Sequence, residues 1–82
     1  MKLTTRERAK RALTNKTGGP IKMVGQYLKA FNLEHAISEA EHRWTSADTA
    51  HEAWFWHRVW DLLLDVRREE DAAGAAIAKA ED

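Results

Sequence analysis

The sequence predicts an all-α protein: a compact bundle of three to four helices, in which two or three short helices precede a long amphipathic C-terminal helix. Apolar residues recur at i, i+3 and i+4 spacing in each of four segments, which is the pattern of a helix with one buried face. Residues typical of helix starts and helix ends separate the segments. No stretch of strand length alternates between apolar and polar residues, so we expect no β-sheet.

The first helix is predicted to begin after Thr4 and to run to about Leu13. Thr4 followed three residues later by Glu7 has the form of a capping box. Gly18-Gly19 is expected to end this helix, because glycine tolerates the left-handed conformation common at helix C-termini. Pro20 then begins the second helix, where its missing N–H leaves no bond unmade.

The second and third helices are short and amphipathic. The second spans residues 20–31, with an apolar stripe formed by Ile21, Val24, Tyr27, Leu28 and Phe31. Asn32 is predicted to cap the third helix. The stripe of the third helix consists of Leu33, Ala36, Ile37, Ala40 and Trp44. Because the connections are tight, helices adjacent in sequence are expected to pack together.

The last helix is predicted to be long, with Thr45 or Ser46 as its cap. Its apolar stripe consists of Phe55, Val59, Leu62, Leu63 and Val66. Beyond this stripe the pattern weakens, because Glu70 falls on the apolar side and Gly74 lowers helix stability. We therefore expect a single helical domain over residues 1–70 and a helical extension or frayed tail over residues 71–82.

Length and composition restrict the function classes. A chain of 82 residues is at most one domain, and it buries only about 60% of its unfolded surface. It has no cysteine, which excludes disulfides, thiolate zinc sites and thiol catalysis. Residues 1–10 are polar, and no apolar run approaches the roughly 20 residues of a membrane span. The expected compartment is the cytoplasm, with no membrane partner.

Charge is divided unequally along the chain, although the formal net charge is zero. Residues 1–30 hold eight bases against one acid, a balance of +7, and residues 31–82 hold five bases against twelve acids, a balance of −7. This asymmetry is typical of a basic arm facing nucleic acid or of head-to-tail pairing. The candidate nucleic-acid contacts are Arg6, Arg8, Lys10, Arg11 and Lys16. They ring the first helix, so a solvated basic helix is the alternative interpretation.

Metal binding and catalysis find little support in the sequence. His35, Glu39 and His42 share one face of a regular third helix, but a solvated polar face explains them better than a metal site, since no established ligand motif is present. No serine lies in a glycine-flanked turn of the kind that exposes a catalytic nucleophile, and Ser46 is better explained as a helix cap. So small a chain also leaves little room for a pocket that excludes water. We expect no enzyme, no cofactor and no small-molecule substrate.

The long helix holds the strongest functional candidates. They are Trp54, Arg58, Trp60, Asp61, Leu64 and Asp65. Trp54 projects opposite the apolar stripe, where it stacks on Arg58, packs against the first helix, or binds something outside the chain. The leading hypothesis is a non-enzymatic interaction or regulatory protein that binds a protein partner or itself through this helix. The alternative is a small nucleic-acid-binding accessory protein that uses the basic first helix.

Overall fold

The structure is a computed structural model that describes the backbone of residues 3–14 and 18–81 and the side chains of residues 3–14 and 18–73. The described chain forms four helices and no strand, which confirms the predicted all-α bundle. The helices are α1 (Thr5–Ala12), α2 (Gly19–Ala30), α3 (Leu33–Thr45) and α4 (Ala50–Glu81). Helix α4 passes residue 70 without a break, and the expected domain boundary there stays a prediction.

Both ends of α1 follow the prediction, but the role predicted for the two glycines does not. The hydroxyl of Thr4 accepts the backbone N–H of Glu7 at 3.2 Å and donates to the Glu7 carboxylate at 3.0 Å. The helix ends at Ala12, so the prediction that the two glycines end it is wrong. Gly18 is instead the N-cap of α2, and Gly19 opens that helix with a φ of 54°, which glycine adopts without strain.

The caps of α3 and α4 show one correct and one wrong prediction. Asn32 caps α3 as predicted: its side-chain oxygen accepts the N–H of His35 at 2.8 Å. Thr45 and Ser46 do not cap α4. Their hydroxyls donate instead to carbonyls in the last turn of α3. The cap of α4 is Thr49, whose hydroxyl accepts the N–H of the residue three positions later at 3.1 Å.

The core follows the apolar stripes. In α4, Val59, Leu62, Leu63 and Val66 are buried, as predicted, whereas Phe55 is half-buried at the edge of the stripe. The other helices contribute buried apolar side chains to the same core. These are Ala9 of α1, Val24 and Tyr27 of α2, and Ala36, Ile37 and Ala40 of α3. The four helices therefore share one hydrophobic core.

Helix α4 is the common support of the bundle. Helix α3 packs along it in the largest interface, and α2 packs on α1 and α4 while touching α3 least. The prediction that helices pack in sequence order is therefore wrong for α2 and α3. Helix α4, with 32 residues, is long enough to contact all three other helices. Just beyond the middle of α4, the Glu69 carboxylate accepts hydrogen bonds from the backbone N–H of Thr5, at 2.8 Å, and from the Thr5 hydroxyl, at 3.0 Å.

Candidate functional site

Two of the six candidate residues on α4 lie against the rest of the bundle. Trp60 is half-buried, and its ring stacks on Trp44 of α3 with centroids 5.3 Å apart. His57 completes this group, with its ring 4.6 Å from that of Trp44. Leu64, one turn beyond Trp60, is also half-buried against the core. Both side chains therefore have partners within the fold.

Trp54 lies on the opposite side of α4 and is 60% exposed, the most of any large apolar side chain in the described chain. Neither intramolecular partner suggested by the sequence covers it. The guanidinium of Arg58 pairs instead with Asp61 at 2.9 Å. Helix α1 meets α4 at Glu69, about 22 Å along the helix axis from Trp54. The described neighbour of the indole is the His51 ring, at 6.4 Å between centroids.

The surface around Trp54 is a charged stripe along one face of α4. Alternating steps of four and three residues place its members on the same side of the helix. We call this surface the α4 stripe; it consists of Trp54, Arg58, Asp61, Asp65 and Arg68. Arg58 pairs with Asp61, and Arg68 pairs with Asp65 at 2.8 Å. Exposed pairs of this kind contribute about 0–1 kcal/mol, so they can exchange partners at little cost.

A cation–π contact is present, but at a different tryptophan from the one suggested by the sequence. The guanidinium of Arg43 on α3 lies 5.2 Å from the centre of the Trp56 ring and bonds to Glu39 at 3.3 Å. Tyr27 of α2 packs 5.8 Å from the same indole. Burial raises the pKa of Tyr27, and the charge and hydrogen bond of Arg43 oppose this shift. These residues join α2, α3 and α4, and their role is structural.

The histidines of α3 do not gather into a metal centre. His35 packs on Phe31, with ring centroids 4.6 Å apart, and the Glu39 carboxylate is engaged by Arg43. Within residues 3–14 and 18–73, no three histidine, aspartate or glutamate side chains lie close enough to hold an ion. His35, Glu39 and His42 are therefore a polar helix face in this structure.

The basic residues of α1 divide between two surfaces. Arg8 and Arg11 are exposed away from the groove between α1 and α2, whereas Arg6 and Lys10 border it. Arg6 also pairs with Glu70 of α4. Lys16 lies outside the described residues. The groove holds a cavity of about 440 Å³, lined by Arg6, Lys10, Leu13, Gly25, Leu28 and Lys29. The packing of α1 on α2 was expected from their order in the chain, but the groove between them was not.

Comparison with protein-family models, with curated proteins and with solved structures gives no match to this chain. Among the described helices, none has an apolar stretch of the length required to cross a bilayer.

Proposed function

We propose that the chain is a non-enzymatic interaction protein that associates with a second copy of itself through the α4 stripe. The observation that carries the proposal is the exposure of Trp54, at 60%, on a helix whose other side is fixed in the core. Tryptophan and arginine are the residues most enriched at the energetic centres of protein interfaces. The cytoplasm stays the expected compartment.

Self-association also suits the size of the protein. A chain of 82 residues buries a smaller fraction of its surface than larger domains do, so a folded monomer has little stability to spare. Covering an indole by a second copy removes apolar surface from water without lengthening the chain. A two-fold interface needs only one patch, because the same residues serve both copies.

The charges of the α4 stripe favour one arrangement. Along the helix they run positive, negative, negative, positive, at positions 58, 61, 65 and 68. If two copies of α4 packed antiparallel with the two-fold axis midway between residues 61 and 65, Arg58 would face Arg68 of the second copy and Asp61 would face Asp65. Like charges would then meet across the interface. Shifting the pair by about one turn sets Arg58 beside Asp65 of the second copy, and the two-fold axis repeats this contact. Asp61 then lies near the axis beside its own copy, and its ion pair with Arg58 of the same helix screens this repulsion. The same register brings Trp54 beside residues 68 and 69 of the second copy, where Arg68 can stack on the indole.

Replacement of Trp54 tests the proposal. Trp54→Ala is expected to shift the monomer–dimer equilibrium toward monomer by about tenfold or more, because an interface-centre tryptophan is worth at least 1–2 kcal/mol. Sedimentation velocity over a concentration series measures this shift. Phe31→Ala is the control, since Phe31 is the other exposed aromatic side chain of the described chain, at 39%, and lies at the C-cap of α2. A wild-type chain that stays monomeric at millimolar concentration rules the proposal out.

A charge exchange then tests the register of the pair. Arg58→Asp and Asp65→Arg should each weaken the dimer, because each sets like charges across the interface. The double variant should recover most of the wild-type affinity, since both contacts are restored with reversed sign. Thermal melts of all three variants report any loss of the fold itself. If the double variant dimerises no more tightly than either single variant, this register is excluded.

A second function, nucleic-acid binding by α1, has a separate observation in its favour. Arg8, Lys10 and Arg11 are exposed, and within the described residues no carboxylate forms an ion pair with them. Cations of this kind bind the phosphate backbone without reading sequence. We expect duplex affinity, measured by fluorescence anisotropy, to fall with salt at a log–log slope of about −0.9 for each phosphate contacted. No binding at roughly 50 mM salt would exclude this function.

A further inference from the structure

The groove between α1 and α2 combines an aliphatic floor with a cationic rim. Its cavity of about 440 Å³ lies within the range of roughly 300–1,000 Å³ that small-molecule sites occupy. Leu13 and Leu28 supply the aliphatic floor. Arg6 and Lys10 approach from α1, and Lys29 approaches from α2. None of the lining residues is acidic.

Sequence spacing explains why these groups meet. Arg6, Lys10 and Leu13 follow one another at i, i+4 and i+7, so they share one edge of α1. Gly25 lets α2 approach that edge closely: a Cβ atom at this position would overlap the carbonyl oxygen of Ala9 and lie 3.0 Å from Cγ of Leu13. Leu28 and Lys29 follow Gly25 within one turn, so they line the same groove.

The charges of the rim are only partly neutralised by the protein. Arg6 forms an ion pair with the carboxylate of Glu70. In the described part of the chain, no acidic side chain forms an ion pair with Lys10 or Lys29. Cations grouped around an apolar surface attract a ligand that carries a negative head and an apolar body, because both parts then leave water for matching surroundings.

We propose that this groove binds the carboxylate end of a medium-chain aliphatic acid. The carboxylate accepts hydrogen bonds from Lys10 and Lys29, and the chain lies on Leu13 and Leu28. A nucleic acid fits less well, because no aromatic ring lines the groove to stack on a base. The site is separate from the α4 stripe, so this proposal goes beyond the proposed function and does not depend on it.

Titration with octanoate at constant ionic strength, followed by ¹H–¹⁵N NMR, tests the site. Shifts should be concentrated at residues 6–13 and 25–29. Acetate carries the head without the chain, and octyl glucoside carries the chain without the charge. Both are expected to bind at least about tenfold more weakly, because a charged hydrogen bond and a buried alkyl chain each contribute more than 1.4 kcal/mol. The proposal is overturned if acetate or octyl glucoside binds as tightly as octanoate, or if the chemical-shift changes are centred outside these residues.

Matched variants separate the groove from general positive charge. The pair Lys10→Gln with Lys29→Gln and the pair Arg8→Gln with Arg11→Gln remove the same charge from exposed positions. The first pair should weaken octanoate binding about tenfold or more, and the second less than twofold. Thermal melts verify that both remain folded. Equal losses in the two pairs would show that octanoate responds to net charge alone and would overturn the proposal.

Discussion

Leu63→Ala is expected to lower the free energy of unfolding by about 2–5 kcal/mol, the range measured for leucines deleted from well-packed cores. Leu63 is 0% exposed and is the largest of the fully buried side chains of the described chain. The loss has two parts: apolar surface no longer buried, and a cavity left by the missing atoms. Because a protein of this size has a total stability of roughly 4–12 kcal/mol, a substantial part of it is at stake.

Urea denaturation followed by circular dichroism measures this loss. Leu64→Ala is the control, because it makes the same substitution at the neighbouring position, where the side chain is only half-buried. Its loss should be clearly smaller than that of Leu63→Ala. Equal losses would mean that Leu64 lies as deep in the core as Leu63, which would place α4 in a different rotation from the one described.

Gly25→Ala is expected to destabilise the protein by up to about 2 kcal/mol, although alanine favours helix over glycine by about 1 kcal/mol. The reason is the close contact of α1 and α2. A Cβ at position 25 would overlap the backbone oxygen of Ala9, and a backbone atom moves only if the helix moves with it. Overpacking of this kind costs about 1–3 kcal/mol, which exceeds the gain in propensity.

The measurement is again urea denaturation, with Gln26→Ala as the control on the exposed side of the same helix. That substitution should change stability by no more than about 0.5 kcal/mol. A Gly25→Ala variant more stable than the wild type would show that helix propensity dominates and that α1 and α2 do not approach as closely as described.

Local signals in the sequence predict much of this fold. The apolar stripe of α4 and the caps at Thr4 and Asn32 were predictable because each depends on residues within one or two turns. The start of α4 was missed because Thr45, Ser46 and Thr49 are equally good caps in isolation. Their use is decided by where α3 ends: Thr45 and Ser46 lie at its C-terminus, where their hydroxyls bond its carbonyls, and Thr49 is left to cap α4.

The surfaces were predictable to a smaller extent. Helical phase alone places Trp54 opposite the apolar face of α4 that enters the core, and the structure leaves its indole exposed. Phase does not reveal that Trp60 is covered, because its cover is Trp44, a residue on another helix. The groove also depends on tertiary structure. Lys10 and Lys29 belong to different helices, and only the packing around Gly25 brings them to the same rim.

The contact between Thr5 and Glu69 has a consequence for the folding of the chain. It joins residues separated by 64 positions, whereas α3 and α4 are consecutive and meet through a short turn. Closing a longer loop costs more chain entropy, by about (3/2)RT ln n. Helix α1 has only eight residues, too few for a stable helix by itself. We therefore expect α1 to be the last helix to dock and the first to open, and its opening separates the two walls of the groove.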